Sequence, residues 1–321
     1  MNTLHRLLTL TLLLTTSPFL AAQTCDRDCL EERLDQYLNA ITHNDPAIAP
    51  LAIGFRQTEN AVVKKIGDGM WASATGLGEV QRRFLDPVTG QAAYFGFLKE
   101  GENTAVVVAR ILVEADQITE AEWYIGRQGD PGTYGPASVE GGGNNLYDLE
   151  YLTNNPPPER VVPVNQRLDR AALIRITNSY FDGITSHDGS IIQAHPGCLR
   201  VENGFRTTQR PFPDSWQNPH NKDVTDCTDG MTTFGISLVS NRRYVLVDEQ
   251  AQLVMGLAVF MREPGHKRRR NSFAELFFID EGRISKIYAA MFYPAPGQPL
   301  PNWPPYHGNF PLSGSLLEEV K

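Results

Sequence analysis

The sequence predicts two tandem α+β domains, and three observations lead there. The first is a repeat. Residues 37–60, YLNAITHNDPAIAPLAIGFRQTEN, align without a gap at a constant offset of 143 with residues 180–203, YFDGITSHDGSIIQAHPGCLRVEN. They match at Tyr37/Tyr180, Ile41/Ile184, Thr42/Thr185, Asp45/Asp188, Ile48/Ile191, Gly54/Gly197, Glu59/Glu202 and Asn60/Asn203. The second is that later motifs recur in the same order: Asp68-Gly69-Met70 as Asp229-Gly230-Met231, Arg82-Arg83-Phe84 as Arg242-Arg243-Tyr244, and Ile118 as Ile284. A whole domain has therefore been duplicated rather than a short unit iterated. The third is composition. Between the copies lies a stretch with Pro-Gly, Gly-Gly-Gly, Asn-Asn and Pro-Pro-Pro, the residues of a connection.

The elements follow in chain order. Residues 1–22 carry Arg6, an apolar run Leu7–Leu14 and small residues ending at Ala21-Ala22, the pattern of a secretory signal peptide. The expected product is a secreted or periplasmic chain with no membrane attachment after cleavage. The first domain, 23–125, opens with CLEERLDQYLNAI, where Leu30, Leu34, Tyr37, Leu38 and Ile41 share one helical face. A turn at Asp45 leads to strand-like runs, among them AAYFGFL, AVVVARILVEA and ITEAEWYI. Helices first and an antiparallel sheet afterwards define an α+β unit. Residues 126–165 form the linker, with Tyr147, Leu149 and Tyr151 available to pack on a domain. The second domain spans 166–293 and carries an inserted loop, 204–228. A proline-rich tail, 294–321, follows, with Trp303 and Tyr306 as candidate anchors.

Four cysteines in an exported chain imply two disulfides, with three formal pairings. Cys25 and Cys29 stand four apart at the start of a helix, while Cys198 and Cys227 lie in the second copy, which favours those two pairs. A formal net charge of -8 argues against a nucleic-acid surface. The basic run HKRRR at 266–270 reads as a solvated hairpin tip between strands.

The helix, Asp turn and strand ending in Glu-Asn resemble the nuclear transport factor 2-like superfamily. This superfamily includes ketosteroid isomerase, scytalone dehydratase, limonene epoxide hydrolase and polyketide cyclases. The similarity is greatest to ketosteroid isomerase, with a Tyr eight residues before a turn Asp at Tyr37/Asp45 and Tyr180/Asp188. The chain also resembles a tandem-domain family of exported bacterial and fungal proteins, which supplies no chemistry. What the resemblance implies is a pair of cone-shaped α+β barrels, each a curved sheet wrapped by helices around a mostly apolar pocket. It places an oxyanion hydrogen-bond donor at Tyr37 and Tyr180. With one gap, it places the proton-shuttling position at Asn60 and Asn203, where an amide cannot shuttle a proton as a carboxylate does. Glu59 and Glu202 then alternate to the opposite strand face. A late-strand acid maps near Ala109-Arg110 and Ala274-Glu275, so only the second copy retains one. Glu275 has two open readings, a pocket acid or an ion pair with Arg242 or Arg243.

The copies differ most after the first strand. Twenty-five residues separate Asn203 from Asp229, where seven separate Asn60 from Asp68. The insertion holds Arg206, Phe212, Trp216, His220 and Asp226, and the second copy also has His187 and His195 where the first has Asn44 and Ala52. Titratable groups thus gather in the second copy. His187 reads as a capping or solvated residue, and His195 as either packing or pocket. No two-His helical spacing, C-x-x-C pair, phosphate loop, dinucleotide fingerprint or G-x-S-x-G motif occurs, so neither metal nor cofactor is expected.

The expected function is that of an exported, cofactor-independent lyase, hydratase or isomerase. Its substrate is a small, largely apolar or aromatic, oxygenated molecule held in the second domain. The expected catalytic groups are His195 or His220 as base, Tyr180 or Glu275 as donor or acid, and Asn203 as positioning amide. Phe212, Trp216, Arg206 and Tyr244 are the expected ligand contacts. The alternative is a non-catalytic module that binds a hydrophobic ligand or a partner.

Overall fold

In a computed structural model the described residues are 25–134, 143–209, 224–231, 235–263, 269–295, 298, 300, 301 and 303. The signal-peptide pattern, residues 266–268 of the HKRRR run, Tyr306 and most of the insertion, including Phe212, Trp216 and His220, lie outside them.

The chain opens with α1 (Arg27–His43), whose N-terminus is capped by the Asp26 carboxylate accepting from the Cys29 amide at 3.0 Å. Asn44 ends it in the left-handed conformation, φ 55°. There follow β1 (Leu51–Glu59), β2 (Val62–Lys64), a single turn α2 (Met70–Ser73), β3 (Gly76–Asp86), β4 (Gln91–Glu100), β5 (Asn103–Glu114) and β6 (Gln117–Arg127). After two short strands, β7 (Pro131–Gly132) and β8 (Gly143–Asn144), and the helix α3 (Leu149–Asn154), the pattern repeats. The second round is α4 (Arg170–Ser186), β9 (Ala194–Glu202), β10 (Phe205–Arg206), β11 (Leu238–Asp248), β12 (Leu253–Met261), β13 (Asn271–Asp280) and β14 (Arg283–Phe292). His187, the counterpart of Asn44, closes α4 at φ 58°, and its Nε2 lies 2.6 Å from the Ile236 carbonyl. The turn aspartates Asp45 and Asp188 cap short 3-10 turns by accepting from the amides of Ala47 and Ser190.

The two sheets have matching orders, β2-β1-β6-β5-β4-β3 and β10-β9-β14-β13-β12-β11. All neighbours are antiparallel except β1 with β6 and β9 with β14. The expected tandem α+β domains are present, each built on a six-stranded, mostly antiparallel sheet that does not close into a barrel. Each helix packs on one face of its own sheet, Leu34, Tyr37 and Ile41 of α1 in the first domain and Leu173, Tyr180 and Ile184 of α4 in the second. The opposite faces meet each other, where Phe84, Phe95 and Tyr124 pack against Phe278, Tyr288 and Phe292. The order of layers is helix, sheet, sheet, helix. Tyr147, Leu149 and Tyr151 of the connection pack against this central layer.

The contact between domains has pseudo-twofold symmetry. Arg27, the first residue of α1, binds Asp248 at the end of β11 (2.9 and 3.0 Å), and Arg170, the first of α4, binds Asp86 at the end of β3 (2.9 and 2.6 Å). Each aspartate also accepts from the other domain's backbone, Asp248 from Leu85 and Asp86 from Val247. Between them Arg243 reaches across to the buried Glu122, which also binds Arg110.

The disulfides are Cys25–Cys29 and Cys198–Cys227, and no cysteine is free. Two bridges are compatible with an oxidising compartment. No helix among the described residues is long and apolar enough to cross a membrane.

Candidate acid–base site in the second domain

Strand phase decides which side chains face the space between helix and sheet. In β1 and β9 the pairing register slips, between Leu51 and Arg56 and between Ala194 and Leu199. Gly54 and Gly197 sit at these irregularities with φ of 88° and 75°. An irregularity of this kind resets the alternation of side chains. Gln57 and Glu59 therefore face inward in the first domain, and Cys198, Arg200 and Glu202 in the second. The expectation that Asn60 and Asn203 occupy the pocket and the glutamates the opposite face is thus reversed. Asn203 ends β9 at φ 45°, and its amide is spent on the β14 backbone. Its Nδ2 donates to Met291 O (3.0 Å), and its Oδ1 accepts from Met291 N (2.8 Å). Asn60 makes the same pair of bonds to Ile125. Both are structural bridges between strands, and Asn203 is no positioning amide.

The ladders give the equivalences across the two interiors. Glu59 faces Trp123 and Trp123 faces Ala109, while Glu202 faces Ala289 and Ala289 faces Glu275. Gln57, Trp123 and Ala109 of the first domain thus become Arg200, Ala289 and Glu275 in the second. In the first domain Gln57 Oε1 accepts from Tyr37 Oη (2.7 Å) and Trp71 Nε1 (2.8 Å), and Trp123 Nε1 donates to Tyr37 Oη (2.8 Å). Glu59 accepts from Gln57 Nε2 and Met70 N, both at 2.8 Å. Two indoles fill that interior, with their polar atoms paired.

The second interior is charged and incompletely paired. Arg200 donates through Nη1 to Glu202 and through Nη2 to Glu275 Oε1 at 3.2 Å. Glu275 is 0% exposed and Arg200 8%. Among the described residues Arg200 Nε, Glu275 Oε2 and the Tyr293 hydroxyl have no hydrogen-bond partner. Buried polar atoms of this kind are exceptional in a folded protein. Burial raises the Glu275 carboxyl to about 7; Arg200 opposes the rise, and the Glu202 charge adds to it. Burial also raises the hydroxyls of Tyr180 and Tyr293. Burial disfavours the Arg200 charge, but Glu202 and its neighbours hold it more firmly protonated than usual.

A cavity of about 20 Å³ lies against this cluster, bounded by Tyr134, Tyr180, Arg200, Glu202, Cys227 and Met231 among others. That is room for about one water molecule. Thr207, Thr208 and Val224, from the two described ends of the insertion, also line it.

Of the expected site residues, Tyr180 lines this cavity, and Glu275 lies within electrostatic reach of its hydroxyl without lining the cavity. Glu275 pairs with Arg200; Arg243 is engaged by Glu122 and Arg242 by Asp182 and Asn178. His195 does not join them. Its Nε2 lies 2.8 Å from the Asp280 carbonyl, and the ring lines a separate surface groove with Arg160 and Gln252. The slip at Gly197 separates its phase from that of Arg200. Arg206 is consumed by its own loop, donating to Thr208 O and Gln209 Oε1. Tyr244 faces α4, bonded to Asn178 and stacked on Phe181, away from the cavity. His220, Phe212 and Trp216 are outside the described residues. Arg200, Tyr134 and Tyr293 were not anticipated. An arginine two residues before a glutamate, in phase with a disulfide cysteine, was the available signal for the first.

A family described as a domain of unknown function (DUF8021) matches residues 166–291, the second domain through β14. No curated protein matches the chain.

Proposed function

We propose that the protein is an exported, cofactor-independent lyase, hydratase or isomerase, and that Glu275 of the second domain is its proton carrier. The supporting observation is a fully buried carboxyl with one oxygen unpaired among the described residues, poised near neutrality, beside a buried arginine. A group with its midpoint near the working pH is populated in both forms, as general acid–base catalysis requires. Arg200 bridges Glu275 and Glu202, so a proton leaving one carboxylate changes the field on the other. Tyr180, with Arg200 and Glu202, lines the cavity, and Glu275 lies behind them, bonded to Arg200. Tyr134, Val224 and Met231 supply apolar wall beside the charged groups of Arg200, Glu202, Asp226 and Asp229, so a small, largely apolar molecule with one or two oxygens would have to widen the space to enter. The resemblance to nuclear transport factor 2-like enzymes supports the same location, between the first helix and the sheet.

The test begins with compounds that co-purify with the exported protein, identified by mass spectrometry and then assayed for turnover. Glu275→Gln should remain folded and lose about 100-fold or more in kcat/KM. Full turnover by that variant would remove Glu275 from the chemistry.

One observation favours a second reading, a binding module without catalysis. The cavity has space for about one water, and Arg200 is already bonded to both carboxylates. On that reading Glu275→Gln keeps its affinity for the co-purifying compound, and the wild type leaves the compound unchanged.

A further inference from the structure

The C-terminal segment leaves the second domain and anchors in the first. Tyr293 follows β14 directly, is buried, and belongs to the same packed cluster as Tyr180, Cys227 and Met231, with Tyr134 against it. Its hydroxyl, without a hydrogen-bond partner among the described residues, lies within electrostatic reach of Arg200 and Glu202. Ten residues later Trp303 is buried on the first domain. Its Nε1 donates to Thr58 Oγ1 at 3.1 Å, and the guanidinium carbons of Arg56 and Arg110 lie 3.9 and 4.7 Å from its ring centroid. Cationic groups at such distances from an indole are attracted to it. Two bonds span the interval: Gln298 Nε2 donates to Asn60 O, and Asn241 Nδ2 donates to Pro301 O.

We propose that this segment is a clasp through which the first domain assembles the second domain's site, with Trp303 as the latch and Tyr293 as the group it positions. Trp303 and Tyr293 are positioning residues. Neither Thr58 nor Arg110 has a polar counterpart in the second domain, since the repeat puts Val201 at the first position and the ladders put Leu276 at the second. The latch is therefore built on one domain only, the one whose own interior is filled. The clasp also covers Arg110, the outer arm of the buried Arg110–Glu122–Arg243 network that joins the sheets. Tyr134, which follows β7 in the connection from the first domain, lines the cavity itself and packs against the cluster that holds Tyr293. The first domain thus contributes to a site it does not contain, through the chain that leaves it and the chain that returns.

The test uses the full chain with Trp303→Ala and Trp303→Phe. Hydrogen exchange is read at individual amides, and the Glu275 carboxyl is titrated by carbon NMR with Glu275→Gln to assign it. In Trp303→Ala, exchange at Tyr293 and Ala295 should quicken by about ten-fold or more. Water admitted beside the cluster relieves the burial that raises Glu275, so its midpoint should fall from about 7 toward the ordinary carboxylate range. Trp303→Phe, which keeps a ring over the arginines, should fall between. If exchange quickens only around Arg56–Thr58 and Glu275 titrates as before, Trp303 is a local packing residue and the clasp is wrong. Should Trp303→Ala fail to fold, Thr58→Val removes only the acceptor. The same two shifts, smaller, support the clasp there, and an unchanged Glu275 midpoint overturns it. The clasp bears on function only through the proposed site, but both readouts need no turnover assay, so its failure is distinguishable from failure of the acid–base reading.

Discussion

The first and second domains share helix, sheet order and inter-domain contacts, yet they treat the same interior positions in opposite ways. The first puts Trp123 where the second puts Ala289, and Ala109 where the second puts Glu275. Trp71 and Trp123 fill the space and bond to Gln57 and Tyr37. The exchange of a large side chain for a small one in the second domain makes room beside a charged cluster whose polar atoms are not all paired. A buried ion cluster is a weak source of stability, because desolvation offsets most of the Coulomb attraction. A network that pairs two buried indoles and a single carboxyl, Glu59, is a stronger one. The difference is that between a domain built to be stable and one that tolerates unpaired groups at a site.

Replacing Arg200 by Met is expected to have the largest effect, because it strands Glu202 and Glu275 without a counter-charge. Denaturation should show a loss of about 3–5 kcal/mol near neutral pH, shrinking in acid as the carboxyls protonate. Gln57→Met at the equivalent position should cost less, about 1–3 kcal/mol, since it frees the neutral donors of Tyr37 and Trp71 while Glu59 keeps its bond from Met70 N. Equal costs would mean that the two interiors do not differ in kind.

Next in size is the loss of the Cys198–Cys227 bridge by paired serine substitution, which removes a 29-residue closure next to the cavity. A cost of about 2–4 kcal/mol is expected, against a smaller one for Cys25–Cys29 with its separation of 4. Both are readable as shifts in denaturation midpoint.

Glu275 makes stability depend on pH with a definite sign. Its folded pKa of about 7 lies above the unfolded value of 4.5, so between these the folded state holds more protons. Stability therefore falls as pH rises through that window and levels off above it. Glu275→Gln should flatten this slope and gain on the order of 1–3 kcal/mol relative to wild type above pH 7, with little change below pH 4.5. A slope that survives the substitution would assign it elsewhere, Glu59 being the first candidate because burial raises its carboxyl too.

The smallest expected difference is between Asn60→Ala and Asn203→Ala. Each removes one donor and one acceptor bond to a neighbouring strand, so both should cost a similar amount, about 1–3 kcal/mol. A much larger loss of ligand affinity in Asn203→Ala, with stability matched, would return that amide to the site.

Local pattern by itself determined the duplication, the helix face through Leu30, Leu34, Tyr37 and Ile41, the capping roles of the repeated turn, and the disulfide pairs. These depend on periodicity or on neighbours along the chain, which a sequence displays. It also singled out Glu275, because an acid between Ala274 and Leu276 in an apolar strand needs a partner, while Tyr180 was implied by the family resemblance. Only the tertiary structure decided which residues meet them. The glycine irregularities at Gly54 and Gly197 reset the strand phase, and an alternation counted from the wrong end sends Asn203 inward and Glu202 outward. Arg200 finds Glu275 across an intervening strand, 75 residues away. Tyr134 reaches the cavity and Tyr293 the packed cluster behind it from two different segments, and Trp303 crosses to the other domain. None of these encounters leaves a trace in local pattern, because each is fixed by where sheets and termini lie in space.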